Sequence, residues 1–531
     1  MKLPTSTEAV SRYYLALLLV IALVISIVTV SRGAIPQTIF GADSAISFNA
    51  GWRAYCGLRP HADFYSSLGP WIYLYVATGY YLFGVSVHVI AYMNAILFCL
   101  LLGITWYLLR DRLSPFWLFC VALLIAVCFA APFSLRYYKW LPTYVAIYNR
   151  HGCAFMLLFC ALLFSPIVTK VSELRWKITS AVLGLLLPVM LFLKITLFTI
   201  AAPVLVAAYF IEVRKWLNIK WFSAMFILFS VFFLAYIRFD VVAMASDLAI
   251  TARAKSQYFQ AMAPHVQRTT DELIWWSLFC LGMFGLGAFS LYKKPELKFG
   301  LWELFSESVI VILMLAVCVA IVFGNALYVV VEDYPVLILL TALIAVRITQ
   351  RDGIELPWSE RTPYFKVMMV TSIIFVLSYV VNTTYYMVGY EARPERVSQF
   401  EMPTMRGLVF DKNFVTHTSV YVTEDGIKLL TKHGAEDKRF VVFEFTSFLH
   451  FALRTVPYKG TPFIDDRVNI TRDSFPAPEK FIGNADYIME AKPPGHSFNT
   501  VLTLKACYKD YLEKNYKVID ESQYWILLKH L

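Results

Sequence analysis

The stretch Tyr13-Tyr14-Leu15-Ala16-Leu17-Leu18-Leu19-Val20-Ile21-Ala22-Leu23-Val24-Ile25-Ser26-Ile27-Val28-Thr29-Val30 carries no charged side chain. A helix of about 20 apolar residues crosses the hydrocarbon core of a bilayer, so this run reads as a membrane span. It is too long for the apolar part of a signal peptide and no small-residue cleavage site follows it, so it is expected to stay as an anchor. Just beyond it lies Gly41-Ala42-Asp43-Ser44-Ala45. A carboxylate there stands at the membrane surface, at the head of a long polar loop.

The rest of the chain repeats the pattern. Of 531 residues, 59% are hydrophobic and 16% charged, against about 25% charged in a soluble globular protein. Mean hydropathy is +0.61. Apolar runs at approximately 13–31, 86–109, 114–132, 151–168, 178–193, 195–212, 221–237, 274–292, 305–323, 334–350 and 366–383 predict a polytopic α-helical membrane protein with about eleven transmembrane helices over residues 1–390. The two runs flanking Lys194 are short and nearly continuous, and a single bent hairpin would also fit them.

The net charge of +10 belongs to topology rather than to nucleic acid. With the N-terminus on the cytoplasmic side, the inner loops carry Arg110 and Arg112; Lys170, Arg175 and Lys177; Arg214, Lys215 and Lys220; Lys293, Lys294 and Lys298; and Arg347, Arg351, Arg361 and Lys366. Each is basic, as the positive-inside bias requires. An odd number of spans then puts the C-terminus outside. The expected place is a bacterial plasma membrane, with the C-terminal part in the periplasm of a Gram-negative cell.

The outer segments differ in kind. The first, 31–86, is long, and its aromatic half Trp71–Phe83 reads as an interfacial helix. Residues 133–150 are rich in Tyr, Lys and Arg. Residues 238–273 read as a charged loop with Arg253, Lys255, His265 and Arg268, and a short loop ends at Glu332-Asp333. From about Glu391 the composition becomes that of a soluble domain. Strands are expected at 440–445, 485–489 and 524–528 and helices at 423–432 and 508–514, giving an extramembrane α/β domain over 391–531. No Cys/His metal spacing occurs. Cys56 and Cys507 both read as outward-facing, and whether they pair stays open, since geometry decides.

Asp43, Gly57, Pro60, Asp63-Phe64, Gly69-Pro70 and Phe83-Gly84 together resemble the first external loop of GT-C-fold glycosyltransferases, in particular the bacterial relatives of protein O-mannosyltransferases and of the lipid A aminoarabinose transferase. Ala485-Asp486-Tyr487 and Tyr511 to Trp525 are similar to parts of their extramembrane domain. The likeness covers the chain in layout, with degenerate motifs. It departs from those branches in lacking an acidic residue beside Asp43.

The resemblance implies transfer of a sugar from a polyprenyl-phosphate donor to an envelope acceptor (glycan, lipid or protein) by an inverting hexosyl or pentosyl transferase, with membrane lipids as further partners. Such a reaction needs a base for the acceptor hydroxyl and cations around the leaving phosphate. Asp43 is the candidate base; the competing reading makes it an N-cap of the helix that follows. Asp63 is the second carboxylate, to orient the acceptor or to share a divalent cation with Asp43. Carboxylates suit Mg²⁺ or Mn²⁺, although two do not establish a metal. For the phosphate or sugar the candidates are Lys194, an ionisable residue at membrane depth; Arg150 with Asn149, where a guanidinium can fork onto phosphate; Arg253, Lys255 and His265; and Tyr334, placed near the phosphate by the resemblance. Against each stands a plainer role as a snorkelling, interfacial or solvated side chain. The rival functional class is a transporter or flippase. Against it stand the absence of clear inverted repeats, the scarcity of carboxylates in the spans and the length of the first loop.

Overall fold

The computed structural model describes residues 7–34, 37–38, 41–130, 147–166, 171–261, 301–325, 396–466, 468–493 and 498–531, with scattered positions between 274 and 385. Eleven longer helices are described in the N-terminal part: α1 Thr7–Arg32, α2 Ser44–Tyr55, α3 Trp71–Phe83, α4 Val89–Leu109, α5 Pro115–Ala130, α6 Ile147–Phe164, α7 Glu173–Leu193, α8 Ile195–Ile211, α9 Ile219–Tyr236, α10 Val241–Ala261 and α11 Leu301–Asn325. Among the described residues five helices are long and apolar enough to cross a membrane: Ala9–Arg32, α4, α6, α7 and α9. α5, α8 and Phe305–Val317 are shorter apolar helices. The runs expected at 274–292, 334–350 and 366–383 lie largely outside the described residues.

The exposed faces identify the solvent. In α1 the buried positions are Leu18, Ala22 and Ile25, one narrow stripe, while Leu19, Val20, Leu23, Val24 and Ile27 are exposed. On α9, Ile227, Leu228, Val231 and Phe232 are exposed as well. A helix apolar on its outer as well as its inner face is surrounded by lipid or core on every side. This is a polytopic helical membrane protein with an extramembrane domain, as expected.

The helix ends sort into two faces. On one, Arg112 donates to the carbonyls of Leu162 and Ser165 and lies against the stacked rings of Trp176 and Trp216. Arg347 joins Glu307 at 2.6 Å and Glu212 at 3.1 Å, and donates to Phe164 O. Arg175 pairs with Asp111. Arg112, Arg175 and Arg347, three of the basic residues expected in inner loops, therefore lie at one end of the bundle. The other end gathers the candidate site.

Two expectations change. α7 begins at Glu173, not at 178, because Ser172 caps it by accepting from Arg175 N–H at 3.4 Å; charge in the first turn hid the start. α7 and α8 are then two helices, broken at Lys194, whose backbone is extended (φ −159°, ψ 115°). Gly184 lets α7 and α9 meet, since a Cβ there would stand 2.2 Å from Phe222 O. The charged segment after 238 is a helix rather than a loop: the Asp240 carboxylate accepts from Ala243 N–H at 2.9 Å and starts α10.

The C-terminal part pairs β1 Val397–Gln399 with β2 Val409–Asp411, antiparallel. Its main sheet has four strands, β3 Phe440–Phe443, β4 Tyr487–Ala491, β5 Tyr516–Glu521 and β6 Trp525–His530, in the order β3-β4-β6-β5, with β3 parallel to β4 and the other pairs antiparallel. Helix α12 Thr418–Lys432 covers one face; Trp525 Nε1 donates to Val422 O at 2.7 Å. From helices Phe498–Cys507 and Lys509–Asn515, Leu504 and Leu512 pack with Val441, Ile488 and Leu528 on the opposite face. Cys56 and Cys507 are both free thiols.

This domain is docked on the first loop. Phe410 of β2 bridges to Gln37, whose N–H donates to Val409 O at 2.8 Å. Trp52 and Arg53 of α2 donate to Thr455 O and Lys459 O at 2.7 and 2.6 Å, and Asn49 to Ser447 O. Phe451, fully buried, stacks on Phe48 at 5.3 Å and on Tyr80 at 5.9 Å, with the Arg454 guanidinium 4.1 Å over its ring. Phe451→Ala should therefore destabilise by about 3–5 kcal/mol. Thermal melting together with faster proteolytic release of the C-terminal domain would register it.

Candidate active site

Asp43 closes a single 3-10 turn, Gly41–Asp43, that leads into α2. Its backbone is helical (φ −63°, ψ −15°) and its side chain makes no cap hydrogen bond; Ser44 Oγ instead bonds Gly41 O at 2.7 Å. The half-buried carboxylate faces Asp465, which the C-terminal domain brings to it. Burial, and next the Asp465 charge, push the pKa of Asp43 up to about 8. The acidic partner that the sequence lacks beside Asp43 thus arrives from a distant part of the chain.

From Asp465 a chain of bonds runs into the first loop. Asp465 N–H donates to Asn469 Oδ1 at 2.8 Å, and Asn469 Nδ2 donates to Ser67 Oγ at 3.2 Å. Tyr65 Oη donates to Asn469 O at 2.7 Å and meets Thr251 Oγ1 of α10 at 3.2 Å. One turn earlier, buried Asp247 accepts from His61 Nδ1 at 3.0 Å, Ser66 N–H at 3.2 Å and Lys480 Nζ at 2.6 Å. First loop, α10 and C-terminal domain are locked together here.

The same loop reaches the cationic candidates. At Gly69 a Cβ would stand 2.0 Å from Phe192 O, so only glycine lets the loop lie against the end of α7. Two residues on, Trp71 Nε1 donates to His151 Nδ1 at 3.3 Å and its ring packs on Phe155 at 5.1 Å. Beside this contact Lys194 Nζ donates to Asn149 Oδ1 at 3.0 Å, and Arg150 is buried. The break between α7 and α8 and the first turn of α6 thus bring Lys194, Asn149 and Arg150 to one end of the bundle, joined to the Asp43 region through residues 61–71.

The remaining candidates separate. Asp63 is engaged: Oδ2 accepts from Arg59 N–H at 2.8 Å and Oδ1 from Arg238 at 2.9 Å. Arg253 is exposed on α10. Lys255 lies on the same helix, and burial lowers its pKa. His265 and Tyr334 lie outside the described residues. The sequence reading missed Asp465, His61, Asp247 and Lys480. Only His61 had a signal, its place between Pro60 and Asp63 in the segment that carries the resemblance. Among the described residues no group of three or more His, Cys, Asp and Glu side chains is placed to hold a metal.

No family model matches the chain, and no curated protein matches it. Three solved structures are similar in course. ArnT from Cupriavidus metallidurans bound to undecaprenyl phosphate is 12% identical, with 98% of each chain covered and a TM-score of 0.47. The apo state of that protein gives the same identity and coverage with a TM-score of 0.44. An oligosaccharyltransferase of Archaeoglobus fulgidus, in complex with zinc and sulfate, is 12% identical, with 88% of this chain and 67% of that chain covered and a TM-score of 0.42.

Proposed function

We propose that the chain is an integral-membrane glycosyltransferase that moves a hexosyl or pentosyl unit from a polyprenyl-phosphate donor to a hydroxyl of an envelope acceptor. The observation that carries this reading is the pairing of two unlike sites at one end of the bundle. A carboxylate with a raised pKa and no hydrogen bond among the described residues lies at one end of the 61–71 loop. Lys194, Asn149 and Arg150 lie at the other.

The acceptor oxygen attacks the anomeric carbon and forms the new glycosidic bond. The bond from that carbon to the phosphate oxygen breaks, and its electron pair leaves on the polyprenyl phosphate. Asp43 takes the acceptor proton. Lys194 and Arg150 hold the charge that grows on the phosphate, and Lys255, whose ammonium form burial disfavours, gains from the same anion. Tyr334 joins this set on the sequence resemblance, and Arg253 and His265 as charged residues of the same segment as Lys255. Asp63 fixes the loop through Arg238. A single displacement inverts the anomeric configuration. The site end faces the outer leaflet, with the N-terminus cytoplasmic and the C-terminal domain covering the site.

The test is turnover by the full chain in lipid nanodiscs, with polyprenyl-phosphate sugars and envelope glycans or lipids, read as release of polyprenyl phosphate and an inverted glycoside. Absence of release with every donor and acceptor pair would refute the reading. The pH profile follows from Asp43. A base must be ionised, so kcat/KM should rise about tenfold per pH unit below about 8 and level off above it. Asp465→Asn removes the like charge and should shift this limb to lower pH. It should remain above the ordinary carboxylate range, because burial is the larger cause.

A further inference from the structure

His88 stands just outside the span that Val89 begins, between the end of α1 and the C-terminal domain. Its Nδ1 accepts from Ala34 N–H at 2.8 Å. An imidazole nitrogen that accepts a hydrogen bond carries no proton, so this bond needs the neutral ring, with its proton on Nε2. The fit around the ring is close. A Cβ on Gly33 would stand 2.3 Å from Nδ1, and one on Gly407 of the C-terminal domain 2.6 Å from Cε1. The ring is thus wedged between the head of the first loop and the turn before β2. The contacts that follow on both sides are those that dock the domain: Gln37 N–H donates to Val409 O at 2.8 Å and Asp411 N–H to Gln37 O at 2.9 Å. The ring is only half-buried, so protons from the outer solution reach it.

Nothing around the ring favours its charged form. Burial holds its pKa below the ordinary histidine value. On its own segment it faces Tyr92, stacked at 6.2 Å. The charged residues on the segments around it are Arg32 at the end of α1, Arg406 beside Gly407, and Arg454, which donates to Val85 O at 3.3 Å and to Thr404 O at 3.0 Å. All are cations. The Asp411 carboxylate accepts from Asn413 N–H at 2.9 Å, and among the described residues no carboxylate pairs with the ring. We propose that His88 is an acid-released latch: a proton on Nδ1 breaks the bond to Ala34 and loosens the C-terminal domain from the head of the first loop. The latch belongs to the docking of the domain and stands whether or not the chain is a glycosyltransferase. Its sign follows from linkage. Above about pH 6.5 the ring is neutral both docked and undocked. Below that the undocked ring takes up a proton that the docked ring refuses. Docking then weakens by up to about tenfold per pH unit, until the docked ring titrates too.

The test is hydrogen exchange of peptides spanning 33–43 and 405–411 in the full chain in nanodiscs, corrected for the intrinsic effect of pH on exchange. It is run at about pH 7.5 and about pH 5.5, on either side of the ordinary histidine pKa. One variant is His88→Asn, whose Oδ1 accepts from Ala34 N–H in place of Nδ1 and does not titrate. The other is His88→Phe, which keeps a ring and has no acceptor. Titration of Asp43 and of other groups is common to all of these chains and cancels between them. From the higher to the lower pH, opening should rise several-fold more in the wild type than in His88→Asn, and at most about tenfold more. His88→Phe should open readily at both pH values. An equal rise in the wild type and His88→Asn would overturn the inference. So would opening in His88→Phe no more frequent than in the wild type at the higher pH. Should His88→Phe fail to fold, the comparison with His88→Asn decides alone.

Discussion

Asp43→Asn should lower the turnover number by about 10²–10⁴-fold, the usual contribution of a positioned general base, while leaving the fold intact. The substitution is nearly isosteric and removes no hydrogen bond, because Asp43 makes no cap bond and meets none among the described residues. Its effect on stability has a definite sign. The folded pKa, about 8, lies above that of an unfolded carboxylate, so the group stabilises the fold only while protonated. That contribution is complete below about pH 4. It is lost progressively as pH rises and is gone above about 8. The Asn variant should therefore melt higher than the wild type, by a margin that grows from about pH 4 and becomes constant above about pH 8. Lost activity with gained stability separates a functional carboxylate from a structural one. A cap would show neither change, since Asn caps a helix about as well as Asp.

Lys194→Met should weaken binding of polyprenyl phosphate about 10–100-fold, the range for one charge-assisted hydrogen bond to an anion. Methionine keeps the length and apolar stem of the side chain, so α7 and α8 should still break where they do. Inside the protein it loses the bond to Asn149 at 3.0 Å, among its other contacts. Asn149→Ala is the control: it removes that bond and retains the cation, and should cost much less affinity. Titration with bare polyprenyl phosphate in nanodiscs separates the two. The effect of Lys194→Met should shrink as salt is raised, as expected for a charge that is partly accessible.

The helices of the bundle were legible because a long apolar run has few alternatives. So was the convergence of Lys194, Asn149 and Arg150, since alternate spans must return their outer ends to one face. The start of α7 was obscured by charge at Glu173, Arg175 and Lys177, which reads as loop but serves as a capped first turn. α10 was misjudged for the same reason, its cap at Asp240 being one polar residue among many. Asp63 read as a second carboxylate free to orient an acceptor, and only the fold shows that Arg238 occupies it. Asp465 and the His61–Asp247 pair were beyond reach. The second pair is 186 residues apart, and nothing local in a chain records a contact made by docking one domain on another.

The central claim is that one bound lipid spans both ends of the 61–71 loop. A cryo-EM structure of the chain with a non-hydrolysable polyprenyl-phosphate sugar analogue tests this most directly. The account predicts the phosphate within about 3 Å of Lys194 Nζ and the anomeric carbon turned toward Asp43. A phosphate seated away from Lys194, or a sugar with Asp43 on the far side of intervening protein, would contradict it.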